Sequence, residues 1–416
     1  MPDVFPTERE VKLVPASAGA LLRLRSLALR LGATPGPARF LTLEDVYLDS
    51  PDHWLWRAGL GLRVRVRPDS VTLTLKAARG RGATAVLDRP EIEEPLRRLP
   101  ARYPCTVPGL RIGAWMRRVA GPLRLVPVAR LRLRRLEYDA SFPGGLRTKL
   151  CADAVLAEAG GHRVRFWEAE VETAGPGGDL ERVARRLADL SGWRIIPESK
   201  LERALALADV PAPALDETGL NVGPGDTGAG AARRVLRRHW ARYVWNEPGT
   251  RAGLDPEALH DMRVAARRLR AAWSIFEPCL PASARRWFGD LRWIAAAMGR
   301  ARDLDVEIEN LRAAGPSIHP RHWPAVGNLS VQLERRRETA RGALLRALGS
   351  NRHRAMAAGF DRMLDPLREP AAGAPQPVGR MASRCLRARA RKVSRSLRSL
   401  RPDSPDEALH ALRILT

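Results

Sequence analysis

Lysine is almost missing from a chain of 416 residues in which lysine and arginine together number 71: only Lys12, Lys76, Lys149, Lys200 and Lys392 are lysines. Aromatic residues make up 5%, and the basic stretches lack the interleaved rings that stack on the bases of a single strand. Four cysteines (Cys105, Cys151, Cys279, Cys385) stand far apart with no CxxC pair. That spacing argues against a disulfide framework and a structural zinc site, and fits a reducing cytosol. No apolar run approaches the ~18–20 residues of a membrane span, and the N-terminal MPDVFPTERE has no apolar h-region, so neither a membrane protein nor a secreted one is expected. Acidic residues number 46 against the 71 basic ones, a formal charge of +25. Guanidinium forks in such excess point to an anionic partner. A lysine retained in so arginine-rich a chain hints that an ammonium group is wanted there.

The clearest break is residues 211–230, PAPALDETGLNVGPGDTGAG, rich in Pro, Gly and Ala and without apolar periodicity. It suggests a domain at 1–210, a linker at 211–231 and a second domain at 232–416. Divided at residue 219, the first part carries +8 and the second +17.

The first domain reads as strands with charged and apolar residues alternating. Glu8, Glu10 and Lys12 alternate with Arg9, Val11 and Leu13. Arg63, Arg65 and Arg67 alternate with Leu62, Val64 and Val66; Thr72, Thr74 and Lys76 with Val71, Leu73 and Leu75; Glu168, Glu170 and Glu172 with Trp167, Ala169 and Val171. Period 2 puts each charged set on one face of its strand. Helices are expected at about 16–32 and 179–191. The charged faces would be either the solvated side of a sheet or the lining of a closed barrel whose apolar outer face packs against the helices. Carboxylates and cations around one cavity suit a divalent cation bridging a polyphosphate.

The second domain reads as helical throughout. Leu259, Met262, Ala266, Leu269 and Trp273 fall on one stripe, with His260, Arg263, Arg267 and Arg270 on its neighbour. Arg384, Arg387, Arg391, Arg395 and Arg398 share a face of a later helix, and Leu386, Ala390, Val393, Leu397 and Leu400 the other. Like charges at i, i+4 destabilise a helix unless an anion neutralises them, which favours a binding surface. The pattern Glu257-Ala258-Leu259-His260-x-x-Arg263 returns as Glu407-Ala408-Leu409-His410-x-x-Arg413, so two related half-domains are expected, the second incomplete at Thr416.

Glu8-x-Glu10-x-Lys12 resembles the ExExK signature of the CYTH superfamily, the triphosphate tunnel metalloenzymes. The resemblance continues through Tyr47–Asp52, Arg57–Arg65, Leu73–Lys76, Asp153, Glu168-x-Glu170 and Ser199-Lys200-x-x-Arg203. Three of the five lysines fall on its functional positions. Leu259–Arg270 and Met298–Val306 are similar to the main motifs of the CHAD family. These resemblances imply an α+β N-terminal domain, an antiparallel eight-stranded closed barrel with flanking helices, followed by an all-α domain. They imply metal-dependent hydrolysis of inorganic triphosphate or another triphosphate compound, and polyphosphate binding by the helices. Glu8, Glu10, Glu168 and Glu170 would hold Mg²⁺ or Mn²⁺. Arg63, Arg65, Lys76, Arg132, Arg134 and Lys200 would grip phosphates, with Asp153 beside them and Lys12 near the attacked phosphorus. Arg132 and Arg134 are chosen by parity with Arg130. His260, Arg263, Arg267, Arg270, the five arginines from Arg384 to Arg398, His410 and Arg413 would bind polyphosphate. For His260 three readings stay open: phosphate contact, a hydrogen-bonded core residue and a metal ligand. A cytoplasmic protein, associated with polyphosphate granules, is expected. The alternatives are a polyphosphate-binding protein without turnover and a nonspecific nucleic-acid binder, with nucleotide cyclisation a minority outcome of the same fold.

Overall fold

The computed structural model describes residues 7–77, 86–103, 105–107, 109–173, 180–218, 221–281, 284–365, 377–401 and 404–415. Contacts divide the chain into two compact units, Met1–Ala214 with Asn246–Ala258, and Leu215–Trp245 with Leu259–Thr416.

In the first unit the strands are β1 (Thr7–Val14), β2 (Thr34–Pro35), β3 (Arg39–Asp49), β4 (Leu60–Val66), β5 (Val71–Ala77), β6 (Leu87–Leu96), β7 (Val126–Ser141), β8 (Arg147–Ala159), β9 (His162–Thr173) and β10 (Arg194–Ile196). Antiparallel pairing runs β1-β6-β5-β4-β3-β7-β8-β9 and returns from β9 to β1, closing an eight-stranded barrel; β2 and β10 are short additions. Closure removes the open edges that would invite pairing with another chain.

The alternation seen in the sequence has its cause in this closure. The apolar faces of β1, β8 and β9 (Val11, Leu13, Leu150, Ala169, Val171) are buried outward against α1 (Ala18–Leu21), α2 (Leu24–Arg30) and α5 (Leu180–Ser191). Val46, Leu62, Val64, Leu73 and Leu75 are buried with α3 (Trp54–Arg57) and α4 (Arg111–Ala120). The charged faces therefore point into the bore. Beyond Asp153 the bore is filled: Leu131, Leu133, Val155 and Ala157 pack on Leu201, Ala204 and Leu205 of α6 (Lys200–Leu207). A capping box opens α6, with Ser199 Oγ accepting from Glu202 N at 3.2 Å and Glu202 Oε2 accepting from Ser199 N at 2.7 Å.

The second unit is helical. Its elements are α7 (Gly228–Ala252), α8 (Pro256–Phe276), α9 (Arg285–Ala314), α10 (Trp323–Leu348), α11 (Asn351–Leu364), α12 (Val378–Arg398) and α13 (Asp406–Leu415), and α7 and α8 each carry residues of both units. The helix α7 starts inside the stretch expected as linker, because Thr227 Oγ1 accepts from Gly230 N at 3.1 Å and begins the first turn. The stripe Leu259, Met262, Ala266, Leu269 and Trp273 is buried as its period required. The apolar stripe of α12 behaves differently: Leu386 and Leu397 stand 70% and 58% exposed. Among the described residues no helix is long and apolar enough to cross a membrane.

Candidate active site and anion-binding grooves

Strand register brings the bore's charges together as cross-strand neighbours. Lys12 faces Glu170 and Glu10 faces Glu172 across β1 and β9; Asp45 faces Arg65, Lys76 faces Glu91, and Arg135 faces Asp153, which faces Glu168. Three layers result.

The deepest layer holds α6 in place. Lys200 sits at the first turn of α6, where the helix dipole disfavours a cation. Carboxylates of Glu168, Asp153 and Glu170 at 3.0, 3.1 and 2.5 Å compensate it. Arg135 forks onto Asp153 with two bonds of 2.7 Å and reaches Glu170 at 2.8 Å. Arg203 binds Glu168 at 2.6 Å and lies over the Phe166 ring. Burial works against the charge of Lys200, but these carboxylates hold its pKa well above the ordinary value.

The middle layer is cationic. Lys12 Nζ lies 3.1, 3.6 and 3.8 Å from Glu170, Glu168 and Glu10. Arg65 forks onto Asp45 at 2.7 and 2.8 Å. Arg63 touches Asp45 and Thr74 only at 3.4 and 3.3 Å, and its buried Nε has no hydrogen bond. Asp45 is wholly buried; burial opposes its charge, yet Arg65 and Arg63 hold its pKa down to about 2.

Carboxylates ring the outer layer. Glu8, Glu10 and Glu172 each offer an oxygen within 4.8 Å of the others. Lys76 contacts Glu8 and lies 3.2 and 3.3 Å from Glu10 and Glu91. Burial and the neighbouring Glu170 push Glu172 up to about 8. Burial would raise Glu8 also, but Lys76 and a hydrogen bond with Glu91 bring it to about 2. This donor set fits a hard divalent cation: three carboxylates converge, and Glu10 Oε1 is buried without a hydrogen bond. The layers enclose a cavity of about 220 Å³. It opens toward a wider mouth of about 1180 Å³ lined by Glu8, Glu91, Glu93, Arg147, Lys149 and Glu172.

Of the residues singled out in the sequence, Glu8, Glu10, Lys12, Arg63, Arg65, Lys76, Glu170 and Lys200 line this cavity. Asp153 and Glu168 lie beneath it, engaged with Arg135, Lys200 and Arg203. The converging carboxylates are thus Glu8, Glu10 and Glu172, and Glu168 is taken up by cations. Parity misplaces Arg132 and Arg134. Both are exposed on the barrel's outer face, and Arg135 is the arginine of β7 that turns inward. The inward positions before it are Leu131 and Leu133, which meet α6. Arg89, Glu91 and Glu93 also line the cavity; their own alternation in Asp88–Glu93 was the available signal. The segment Asp49-Ser50 has a local structural task. Asp49 accepts from the backbone N–H groups of Ser50, Leu55 and Trp56 at 2.7–3.0 Å and caps α3, which leads into β4 with Arg63 and Arg65.

In the helical unit, His260, Arg263, Arg267 and Arg270 of α8 join Arg292 and Arg300 of α9 around a groove of about 580 Å³. Among the described residues Asp303, 3.5 Å from Arg263, is the one carboxylate lining it. Arg292 and Arg300 were not anticipated; Arg300 lies within the Met298–Val306 motif. Arg384, Arg387 and Arg391, with Arg380, line a second groove of about 460 Å³, while Arg395 and Arg398 continue along the exposed helix beyond it. The side chains of His410 and Arg413 lie outside the described residues.

A family model described as the CYTH domain matches residues 6–205, and one described as the CHAD domain matches 234–416. No curated protein matches the chain. Among solved structures, a candidate adenylyl cyclase from Hippeastrum with a dominant triphosphatase activity is 21% identical (48% of this chain, 95% of that one, TM-score 0.34). The CHAD domain of the plant Ricinus communis is 23% identical (49% and 67%, TM-score 0.38). The Mimivirus capping-enzyme triphosphatase is 12% identical (45% and 89%, TM-score 0.27).

Proposed function

For this chain, which carries a CYTH domain followed by a CHAD domain, we propose metal-dependent hydrolysis of inorganic triphosphate or the end of a polyphosphate in the barrel, with polyphosphate held by the arginine-lined helices. The observation that carries this reading is the convergence of Glu8, Glu10 and Glu172 beside Lys12, Lys76, Arg63 and Arg65 in one bore. A Mg²⁺ or Mn²⁺ ion bound there supplies charge neutralisation on the phosphate oxygens and activates a water. The protein's own part is electrostatic and positional, as phosphoryl transfer demands. Arg63, weakly held, swings onto a phosphate oxygen at little cost. Arg65, fixed by Asp45, and Lys12, fixed by Glu170, present cations at set positions. Glu168, Asp153 and Glu170 hold Lys200 at the floor of the cavity. Among the described residues the apolar filling around α6 closes the bore below Asp153, so a long chain would enter by its terminus through the mouth that Glu8, Glu91 and Glu172 line.

The helical unit's groove supports the second half of the reading, because six basic residues around one carboxylate suit a linear polyanion. The test is phosphate release from tripolyphosphate, long polyphosphate, nucleoside triphosphate and thiamine triphosphate, with Mg²⁺, Mn²⁺ or EDTA. Metal-dependent release from tripolyphosphate, lost in Glu8→Gln and Glu10→Gln variants that keep their circular dichroism, is expected. Release unaffected by either change would overturn the metal assignment. Binding without any release would leave a polyphosphate-binding protein.

A further inference from the structure

Acidic residues of the 211–230 stretch lie against arginines of α7. Glu217 Oε1 is 2.5 Å from Arg242 Nε, and Glu217 Oε2 is 3.5 Å from Arg238 Nη2. Asp226 contacts Arg234 and accepts from Gly223 N at 2.6 Å. Asp216 accepts from Thr218 N and Oγ1 at 2.9 and 2.7 Å, which fixes the turn that presents Glu217. Arg234, Arg238 and Arg242 recur every four residues, so they form one stripe of like charge that needs anions to offset it.

Beside Glu217 lies His239, half-buried, with its Nδ1 buried and without a hydrogen bond. Burial first, then the charges of Arg268, Arg242 and Arg238, hold its pKa down to about 4, against the pull of Glu217. Arg268 comes from α8 but does not line the groove made by Arg263, Arg267 and Arg270. Asp261 is a further carboxylate that acts on Arg242. Two guanidinium groups thus hold a partly exposed carboxylate from a Pro/Gly-rich segment, with the His239 imidazole acting on it and Arg268 acting on that imidazole in turn.

We propose that Glu217 stands in for a phosphoryl group: Arg238 and Arg242, with His239 beside them, form a second polyphosphate site, which inorganic polyphosphate occupies by displacing Glu217 from Arg242. This rests on the reading that the helical unit binds polyphosphate, and it adds a site away from the α8–α9 groove. The exchange is favourable because a solvent-exposed ion pair is weak, whereas a phosphoryl group offers several oxygens to two forks at once. Occupation frees Glu217 from α7.

The test is titration of the full-length protein with inorganic polyphosphate of defined length, in EDTA to prevent hydrolysis, at physiological salt. Glu217→Gln is expected to bind about threefold tighter, within the range set by removing one exposed competing pair, and Glu217→Gln/Arg242→Gln to lose that gain. The ring proton signal of His239, assigned with His239→Gln, is expected to shift saturably with polyphosphate. The proposal falls if Glu217→Gln binds no tighter while melting like the parent, if the His239 signal stays unmoved at saturation, or if excess single-stranded RNA empties the site. Arg263→Ala/Arg267→Ala belongs to the same series. Weakened binding there with no effect of Glu217→Gln removes the second site and keeps the groove; no polyphosphate binding by the parent protein removes both.

Discussion

Individual residues in the bore are held by pairs whose removal leaves a buried charge. Asp45 is the clearest: wholly buried and forked by Arg65. Its folded pKa of about 2 lies below the ordinary carboxylate value. Its contribution is therefore complete above about pH 4 and is lost as pH falls toward 2, amounting to roughly 2 kcal/mol for a shift of that size. Asp45→Asn should lower stability at pH 7 by about 3 kcal/mol, since Arg65 keeps its charge without a partner. Denaturant unfolding at pH 7 and pH 3 checks both, and an Asn variant as stable as the parent at pH 7 would refute the account. Arg134 and Arg135 form a second test. Arg135→Gln should reduce phosphate release at least tenfold and lower stability, because Asp153 and Glu170 lose their cation. Arg134→Gln should leave activity unchanged and stability within about 0.5 kcal/mol. Equal effects of the two changes would return the inward position to the parity choice.

At the scale of elements, α6 and the α9–α11 contact carry the sharpest expectations. The capping box of α6 fixes the turn from which Lys200 enters the bore. Ser199→Ala should cost about 1 kcal/mol of stability. It should lower turnover by more than that stability loss explains, because Lys200 shifts against Glu170; a melting curve beside a kcat separates the two. In the helical unit Gly359 of α11 lies so close that a Cβ would enter the space of the Trp287 ring. A glycine-to-alanine change inside a helix is ordinarily favourable by about 1 kcal/mol. Here Gly359→Ala should instead destabilise by about 1–3 kcal/mol through overpacking, seen as a lower Tm with unaltered far-ultraviolet dichroism.

For the whole molecule, charge is unevenly shared: +8 before residue 219 and +17 after it. Polyphosphate binding should therefore weaken steeply with salt through release of counterions. Arg263→Ala and Arg267→Ala should each flatten the slope of log affinity against log salt by roughly one unit, with phosphate release from tripolyphosphate at saturating substrate unchanged. A slope equal to the parent's would take both arginines out of the polyanion contact.

The sequence by itself determined the alternation of the strands and the periodicity of the helices, because both follow from repeats of 2 and 3.6 residues along the chain. Scarce lysines and the ExExK spacing single out Glu8, Glu10, Lys12, Lys76 and Lys200. What it left undecided was which side of each strand faced inward where every second residue gave no signal. In Arg130–Arg135 arginines occupy both parities, and only the packing of Leu131 and Leu133 against α6 selects Arg135. Glu172 likewise joins Glu8 and Glu10 because β9 closes onto β1, more than 150 residues away along the chain. Closure and register are long-range contacts, and no local pattern encodes which carboxylate arrives opposite which cation.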